Sequence, residues 1–120
     1  MNNFKELKVW QKAIALVTKI YQDTQSFPKE EIYGITSQMR RAACSIPMNI
    51  SEGSGRKTSA DFCRFLDMAR GSANELETQL IISLNLMYLS EDKFSELNIE
   101  LDEIQRMIRG LQNSLVTHNS

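Results

Sequence analysis

Histidine, cysteine, proline and glycine are all scarce in this 120-residue sequence, and each shortage excludes a class of protein. The one histidine, His118, lies close to the C-terminus, so a Ser-His-acid triad would have to recruit a tail residue. There is no HExxH, no CxxC and no His/Cys cluster, which leaves a zinc site without ligands. Two cysteines, Cys44 and Cys63, are too few for a disulfide framework. Each sits in an apolar-periodic segment, where a thiol is expected to act as a small buried hydrophobe. Two prolines and five glycines favour long uninterrupted elements over a strand-and-turn fold. No apolar run approaches the roughly 20 residues of a membrane span. The first residues, MNNFKELKVWQ, lack the apolar stretch of a signal peptide, so the expected location is cytoplasmic, with no membrane contact. Without a secretion signal, the Asn49-Ile50-Ser51 sequon is taken as a chance match. A net charge of −1 gives no global pull toward nucleic acid or anionic lipid.

What remains is ordinary globular composition, 42% hydrophobic and 24% charged, at a length that suits one core and a single domain over residues 1–120. Four segments have helical periodicity. In the last, Phe94, Leu97, Leu101, Ile104, Ile108, Leu111 and Leu115 alternate in steps of three and four, the seam of a helix packed in the coiled-coil manner. Ser90 is its expected N-cap, and Glu91 and Asp92 suit the positive end of its dipole, which predicts a helix over about 90–116. Phe62, Leu66, Ala69, Ala73, Leu76, Leu80, Leu84 and Met87, with Phe65 beside them, predict another over about 59–88. Thr58 and Asp61 resemble a capping box at its start, and Gly71 and Ser72 suggest a close helix crossing in its middle. The first helix, about 5–24, has the stripe Leu7, Trp10, Ile14, Val17 and Tyr21, reinforced by Ala13, Leu16 and Ile20. The second, about 29–51, follows Pro28 and uses Ile32, Ile35, Met39, Ala42, Ile46 and Ile50, with Pro47 expected to kink or end it. Short links between long amphipathic helices predict an all-α, antiparallel up-down-up-down four-helix bundle. Ile81, Ile82, Ile99 and Met107 fall off the main stripes, and this surplus apolar surface suggests self-association.

The candidate binding residues are charged. Gly53-Ser54-Gly55-Arg56-Lys57-Thr58 fails the GxxxxGK[ST] template, because Arg56 stands where the second glycine belongs, and it follows a helix, not a strand. Glycines, two basic residues and a helix start nonetheless make Arg56 and Lys57, with Arg64 and Arg70, candidates for phosphate or nucleic-acid contact; the alternative is a solvated turn. Glu52, Glu75 and Glu77 lack the Glu-x-x-His pattern of di-iron bundles, so neither a metal nor another cofactor is expected. Arg40 and Arg41 precede the small residues Ala42-Ala43-Cys44-Ser45, which suggests interface ion pairs with Glu52 or Glu75. Residues 40–70 hold six basic groups against three acidic ones, a local +3. Residues 90–120 hold three basic against six acidic, a local −3, so the two regions could attract each other within or between subunits.

Several stretches taken together resemble the bacterial four-helix-bundle family of the 23S ribosomal RNA intervening-sequence proteins. They are FKELKVWQKA from Phe4, Phe27-Pro28 with Tyr33-Gly34, and Gln38-Met39-Arg40-Arg41-Ala42. Then come Ser45-Ile46-Pro47, Asn49-Ile50-Ser51-Glu52-Gly53 with Arg56, Phe65-Leu66 with Ala69-Arg70-Gly71-Ser72, and Glu75-Leu76-Glu77. The match runs in order over residues 4–115. It implies an up-down bundle that assembles as a ring-like homopentamer and has no established enzymatic activity. It also implies kinship with the accessory variability determinant of diversity-generating retroelements, which is associated with nucleic acid and a reverse transcriptase through basic surfaces.

The expected function is therefore that of a non-enzymatic homo-oligomer, a scaffold or assembly protein whose partner is itself. The alternative is an accessory protein that binds RNA or DNA through a basic surface around the link between the second and third helices. An enzyme or metalloprotein is the third reading, and the missing ligand and nucleophile motifs count against it.

Overall fold

The computed structural model describes residues 3–119, and side chains over residues 3–116, which leaves the side chain of His118 outside the described residues. Four helices follow one another: α1 (Lys8–Thr24), α2 (Ile35–Ser54), α3 (Ser59–Asn85) and α4 (Glu91–Asn119). Each packs on its neighbours in order, and α4 closes the ring against α1. The product is an up-down-up-down bundle measuring 48 × 23 × 20 Å, with no strand among the described residues. Its core is a column of Leu16, Ile20, Met39, Ile46, Ile50, Leu66, Leu76, Leu80, Leu97, Leu101, Ile104 and Ile108.

The seam of α4 lies where its periodicity places it, with Phe94, Leu111 and Leu115 half-buried at its ends. Ser90 caps it by accepting from the Lys93 amide at 3.1 Å. Thr58 caps α3 in the same way, accepting from the Asp61 amide at 3.1 Å, but the Asp61 carboxylate goes to arginines and does not complete a capping box.

The stripe of α1 is rotated from the expected one. Val9, Ala13, Leu16, Ile20 and Thr24 face the core, whereas Ile14 and Tyr21 are exposed. This helix has two adjacent apolar faces, and the bundle buries one fully, with Leu7, Trp10 and Val17 of the other half-buried against the core. The start of α2 is also later than expected. Residues Lys29–Glu31 form a 3-10 turn and α2 begins at Ile35, leaving Ile32 in solvent. Gly34 separates the two, with its backbone at φ −108, ψ −122. Pro47 does not end α2, which runs on to Ser54. Packing of Ile46, Pro47, Ile50 and Gly53 in the interior offsets the backbone bond that proline removes.

The close crossing between α2 and α3 lies where Ser72, between Ala69 and Ala73, suggests it, but Gly71 takes no part in it. A Cβ on Gly71 would meet nothing within 4 Å, so that glycine lies on open surface. The crossing uses Ala42, Ala43, Ala69 and Ala73, with Ser72 Oγ donating to Ser45 Oγ at 2.8 Å, and Gly53 pressed against Phe62 and Phe65. At its other end α3 stops at Asn85, three residues earlier than its stripe suggests. The Met87 amide donates to Leu84 O (3.0 Å) and the Tyr88 amide to Ser83 O (2.9 Å), the paired bonds of a Schellman stop. Met87 occupies the left-handed position at φ 63, where glycine is the usual residue and a side chain costs about 1 kcal/mol. Met87 therefore points into solvent and Leu89 takes the buried place below it.

The α1–α4 seam is laced with ions. Lys12 pairs with Glu103 at 3.1 Å, Lys19 with both Glu96 (3.3 Å) and Glu100, and Lys93 with Asp23 at 3.6 Å. The acidic α4 is thus balanced by the lysines of α1, not by the basic stretch 40–70. The hydrogen bond to Glu100, followed by that to Glu96, raises the Lys19 pKa above its ordinary value, against some desolvation. A raised lysine pKa stabilises the fold below the unfolded value near about 10.4 and is lost as pH climbs through the folded value. The hydrogen bond to Glu31 likewise raises the Tyr88 phenol. The thermal midpoint is therefore expected to fall above about pH 10.5, and to fall less in a Lys19→Gln variant followed by circular dichroism.

Candidate functional site

The candidate basic residues gather at the end of the bundle where α2 turns into α3. Gly53 Cα lies so close to α3 that an added Cβ would be 2.8 Å from both Phe62 Cδ1 and Phe65 Cβ. That contact places Phe65 beside the turn, where Arg56 and Arg64 lay their guanidinium groups on its ring at 4.7 and 4.9 Å. Asp61 lies between the same two arginines, 3.3 Å from Arg56 Nε and 2.8 Å from Arg64 Nη2. Each charge is partly exposed, so these pairs are worth little individually, but they hold both arginines in fixed directions.

The turn itself is not a phosphate loop. The Gly55 amide donates to Glu52 O at 3.3 Å, the Arg56 amide to Gly53 O at 3.0 Å and the Asp61 amide to Thr58 Oγ1, so these donors are turned inward. Lys57 is exposed and has no ionic partner among the described residues. Arg70 stands apart, on the α3–α4 seam, where it donates to Gln112 Oε1 at 3.3 Å and lies 3.9 Å from Asp67. The structure thus brings together Arg56, Arg64 and Lys57, and places Arg70 with a different set of partners.

The two arginines of α2 also part company. Arg40 Nε donates to Thr24 Oγ1 at 3.0 Å and its guanidinium covers the Tyr21 ring at 4.7 Å, locking α1 to α2 inside one protomer. Arg41 is exposed on the outward line of α2, which continues through Cys44 and Met48 to Glu52. Within the protomer neither arginine pairs with Glu52 or Glu75 among the described residues; both acids are exposed. Tyr21 Oη is 3.7 Å from Cys44 Sγ, and this thiol, ahead of other influences, raises the phenol pKa.

Sequence periodicity alone missed the face these residues make. Because α1 and α2 run antiparallel with Tyr21 opposite Cys44, helical spacing sets Val17 level with Met48, one turn along. Ile14, Val17, Tyr21, Cys44 and Met48 form an apolar band on which Met48 is 65% exposed. Met68, Ile81 and Ile82 are also exposed on α3, Leu86 just beyond its end, and Ile99 on α4. Met107, expected among the surplus positions, packs against the core instead. The rotated stripe of α1 was the available signal: two overlapping heptad patterns on one helix imply two buried faces.

Little here is suited to chemistry. Among the described residues no three His, Cys, Asp or Glu side chains group closely enough to hold a metal. Burial, with a contribution from Asp67, pushes the Cys63 thiol up, and Cys63 Sγ donates to Gln112 O at 3.9 Å, so it stays protonated. The depression of about 490 Å³ between α3 and α4 is open and lined by Glu77, Asn98, Ile99, Asp102 and Arg106, with no convergent set of donors. No described helix is long and apolar enough to cross a membrane.

Comparison with known proteins agrees with this architecture. A crystal structure at 1.70 Å of a protein of unknown function from the S23 ribosomal protein family of Bacteroides thetaiotaomicron superposes with a TM-score of 0.78. It is 23% identical, over 87% of this chain and 97% of that one, and so speaks for the fold. No curated protein matches the sequence. The family model described as 23S rRNA-intervening sequence protein matches residues 5–110, nearly the whole bundle, and by that match this chain belongs to the 23S rRNA-intervening sequence protein family.

Proposed function

We propose that this protein acts as a non-enzymatic homo-oligomer, a cytoplasmic scaffold or assembly unit whose first partner is another copy of itself. One observation supports the reading above all: Ile14, Tyr21 and Met48, large apolar side chains on the outward side of α1 and α2, are 39%, 41% and 65% exposed, the grouped exposure that marks interaction surfaces. Arg41 stands within that face, and Glu52 and Glu75 stand at its margins without partners in the protomer. Arg41 and Glu52 line one depression, so a second copy can offer each charge its opposite. The intervening-sequence family implies a homopentamer as the assembly.

Light scattering coupled to gel filtration tests this directly. At about 10 μM, in the micromolar range where a specific interface of standard size holds, the mass should be several times the 13.8 kDa protomer. A protomer mass at that concentration would end the proposal.

A second reading, nucleic-acid binding, is favoured by Lys57 and by the outward faces of Arg56 and Arg64 on Phe65, repeated around an oligomer. Asp61 already neutralises part of that charge, which places this reading behind the first. If it holds, binding to a generic RNA or DNA duplex weakens steeply with salt and weakens further in Lys57→Ala. Absence of binding at low salt removes it.

A further inference from the structure

Helix α3 carries a second stripe that the bundle leaves in solvent. Arg64, Met68, Glu75 and Ile82 recur at steps of four and seven, which puts them on one line of the helix. All four are exposed, Met68 to 48% and Ile82 to 42%. The outward line of α2 has the same makeup, a cation, a methionine and an acid: Arg41, Met48 and Glu52. Arg41, Glu52 and Glu75 have no ionic partner among the described residues. Arg64 gives Nε and Nη2 to Asp61, which leaves Nη1 for another carboxylate.

Laid antiparallel, the two lines match. Arg41 meets Glu75, Met48 meets Met68 and Glu52 meets Arg64, because the seven-then-four spacing on α2 is the reverse of the spacing on α3. Ile82 then comes level with the start of α2, where Ile32 is exposed on the same side as Arg41. Laid parallel, Arg41 and Glu75 still meet, but Glu52 comes level with Leu86 and finds no cation.

The antiparallel register also suits a closed assembly. Within the protomer Ser72 Oγ donates to Ser45 Oγ at 2.8 Å, which sets those two residues level. Counting along the antiparallel helices from there puts Arg41 level with Leu76, Met48 with Ala69 and Glu52 with Phe65. These are the chain neighbours of Glu75, Met68 and Arg64, one residue or about 1.5 Å away. Rotation about an axis along the bundle preserves both the direction and the level of every helix. It therefore brings α2 of one copy antiparallel to α3 of the next in this register, without the rise that would wind a filament.

We propose that the self-association surface has two complementary sides: α2 of one copy lies antiparallel on the outer line of α3 of the next. Arg41–Glu75 and Glu52–Arg64 pairs flank the contact of Met48 with Met68. This pairing rests on the homo-oligomer reading above and adds which faces meet and in what register. The methionines supply buried apolar area and adapt to each other, while the flanking charges set direction and partner.

Gel filtration with light scattering, across a dilution series around 10 μM, tests it on the full chain. The wild type should assemble, whereas Arg41→Glu and Glu75→Arg should each weaken assembly about tenfold or more, since like charges then meet at every contact. Mixed in equal amounts, the two variants should assemble again, because each offers the other an opposite charge on both faces; an odd ring keeps one mismatched contact. The double variant Arg41→Glu/Glu75→Arg should assemble by itself. Met68→Glu should leave protomers, and Ile99→Glu, on α4, should leave the assembly intact. All of these positions are exposed, and circular dichroism checks that each variant is folded. Single variants that assemble like the wild type would overturn the pairing and leave the oligomer standing. So would a mixture that stays protomeric beside an assembling double variant, which would place the ion pair inside one protomer. A wild type that is itself a protomer would remove the oligomer reading and the pairing with it.

Discussion

On the homo-oligomer proposed above, Met48→Glu is expected to leave only protomers at micromolar concentration, with the bundle still folded. Met48 lies on the outward line of α2 and is 65% exposed, so its side chain makes little contribution to the protomer core. Glutamate and methionine have similar helix propensities, and a surface substitution of this kind changes stability by no more than about 0.5 kcal/mol. In an interface the balance is different. Burying the methionine is worth about 1.5–3 kcal/mol, and a carboxylate in its place must be desolvated among Ile14, Val17, Tyr21 and Cys44, a cost that Arg41 on the same face offsets only in part. A ring repeats that loss at every contact. Light scattering should therefore show the 13.8 kDa species, with an unchanged far-ultraviolet circular dichroism spectrum. An assembled variant with the wild-type mass would show that the copies meet through another face.

Gly53→Val is expected to have the largest effect on folding, about 3 kcal/mol of stability lost. Position 53 lies in the last turn of α2, where a Cβ would fall 2.8 Å from Phe62 Cδ1 and from Phe65 Cβ. The Phe62 ring could swing aside, but Phe65 Cβ is fixed to the backbone of α3, so the two helices must part. Valine gains less than about 1 kcal/mol of helix propensity over glycine, which does not offset the separation of a close-packed crossing. In a chain of this length the loss corresponds to a midpoint lower by about 10 °C or more. Because Arg56 and Arg64 rest on Phe65, the same variant should also loosen the basic turn. Gly71→Ala is the matched control: its Cβ meets nothing, so it should leave the midpoint unchanged or raise it. A Gly53→Val protein that melts with the wild type would refute the close approach.

Much of this molecule was legible before its coordinates. The three-four spacing of Leu97, Leu101, Ile104 and Ile108 specifies a buried seam whatever the helix packs against, because the spacing is intrinsic to the helix. The caps Ser90 and Thr58 were legible for a similar reason, since a cap satisfies amides within its own first turn. The stripe of α1 was not. Leu7, Trp10, Ile14, Val17 and Tyr21 are as periodic as Val9, Ala13, Leu16 and Ile20, and periodicity cannot rank two overlapping apolar faces. The candidate site was legible only as composition. That Arg56, Lys57 and Arg64 are basic was plain, but Asp61 between two of them, and Arg70 on another seam, depend on how α3 is turned against α2 and α4.

The sequence by itself determined the class of this fold, its number of helices and the absence of histidine and cysteine motifs, because helix periodicity, capping and residue inventory are local properties. The tertiary structure decided which face of α1 is inside, and that Gly53, not Gly71, is the glycine pressed against a neighbouring helix. It also decided that α4 draws its counter-charges from α1, and that Met87 faces water. Each of these depends on the rotation and register of one helix against another. Those are fixed by the sum of many small contacts and ion pairs across the chain, and no window of sequence contains both sides of such a contact.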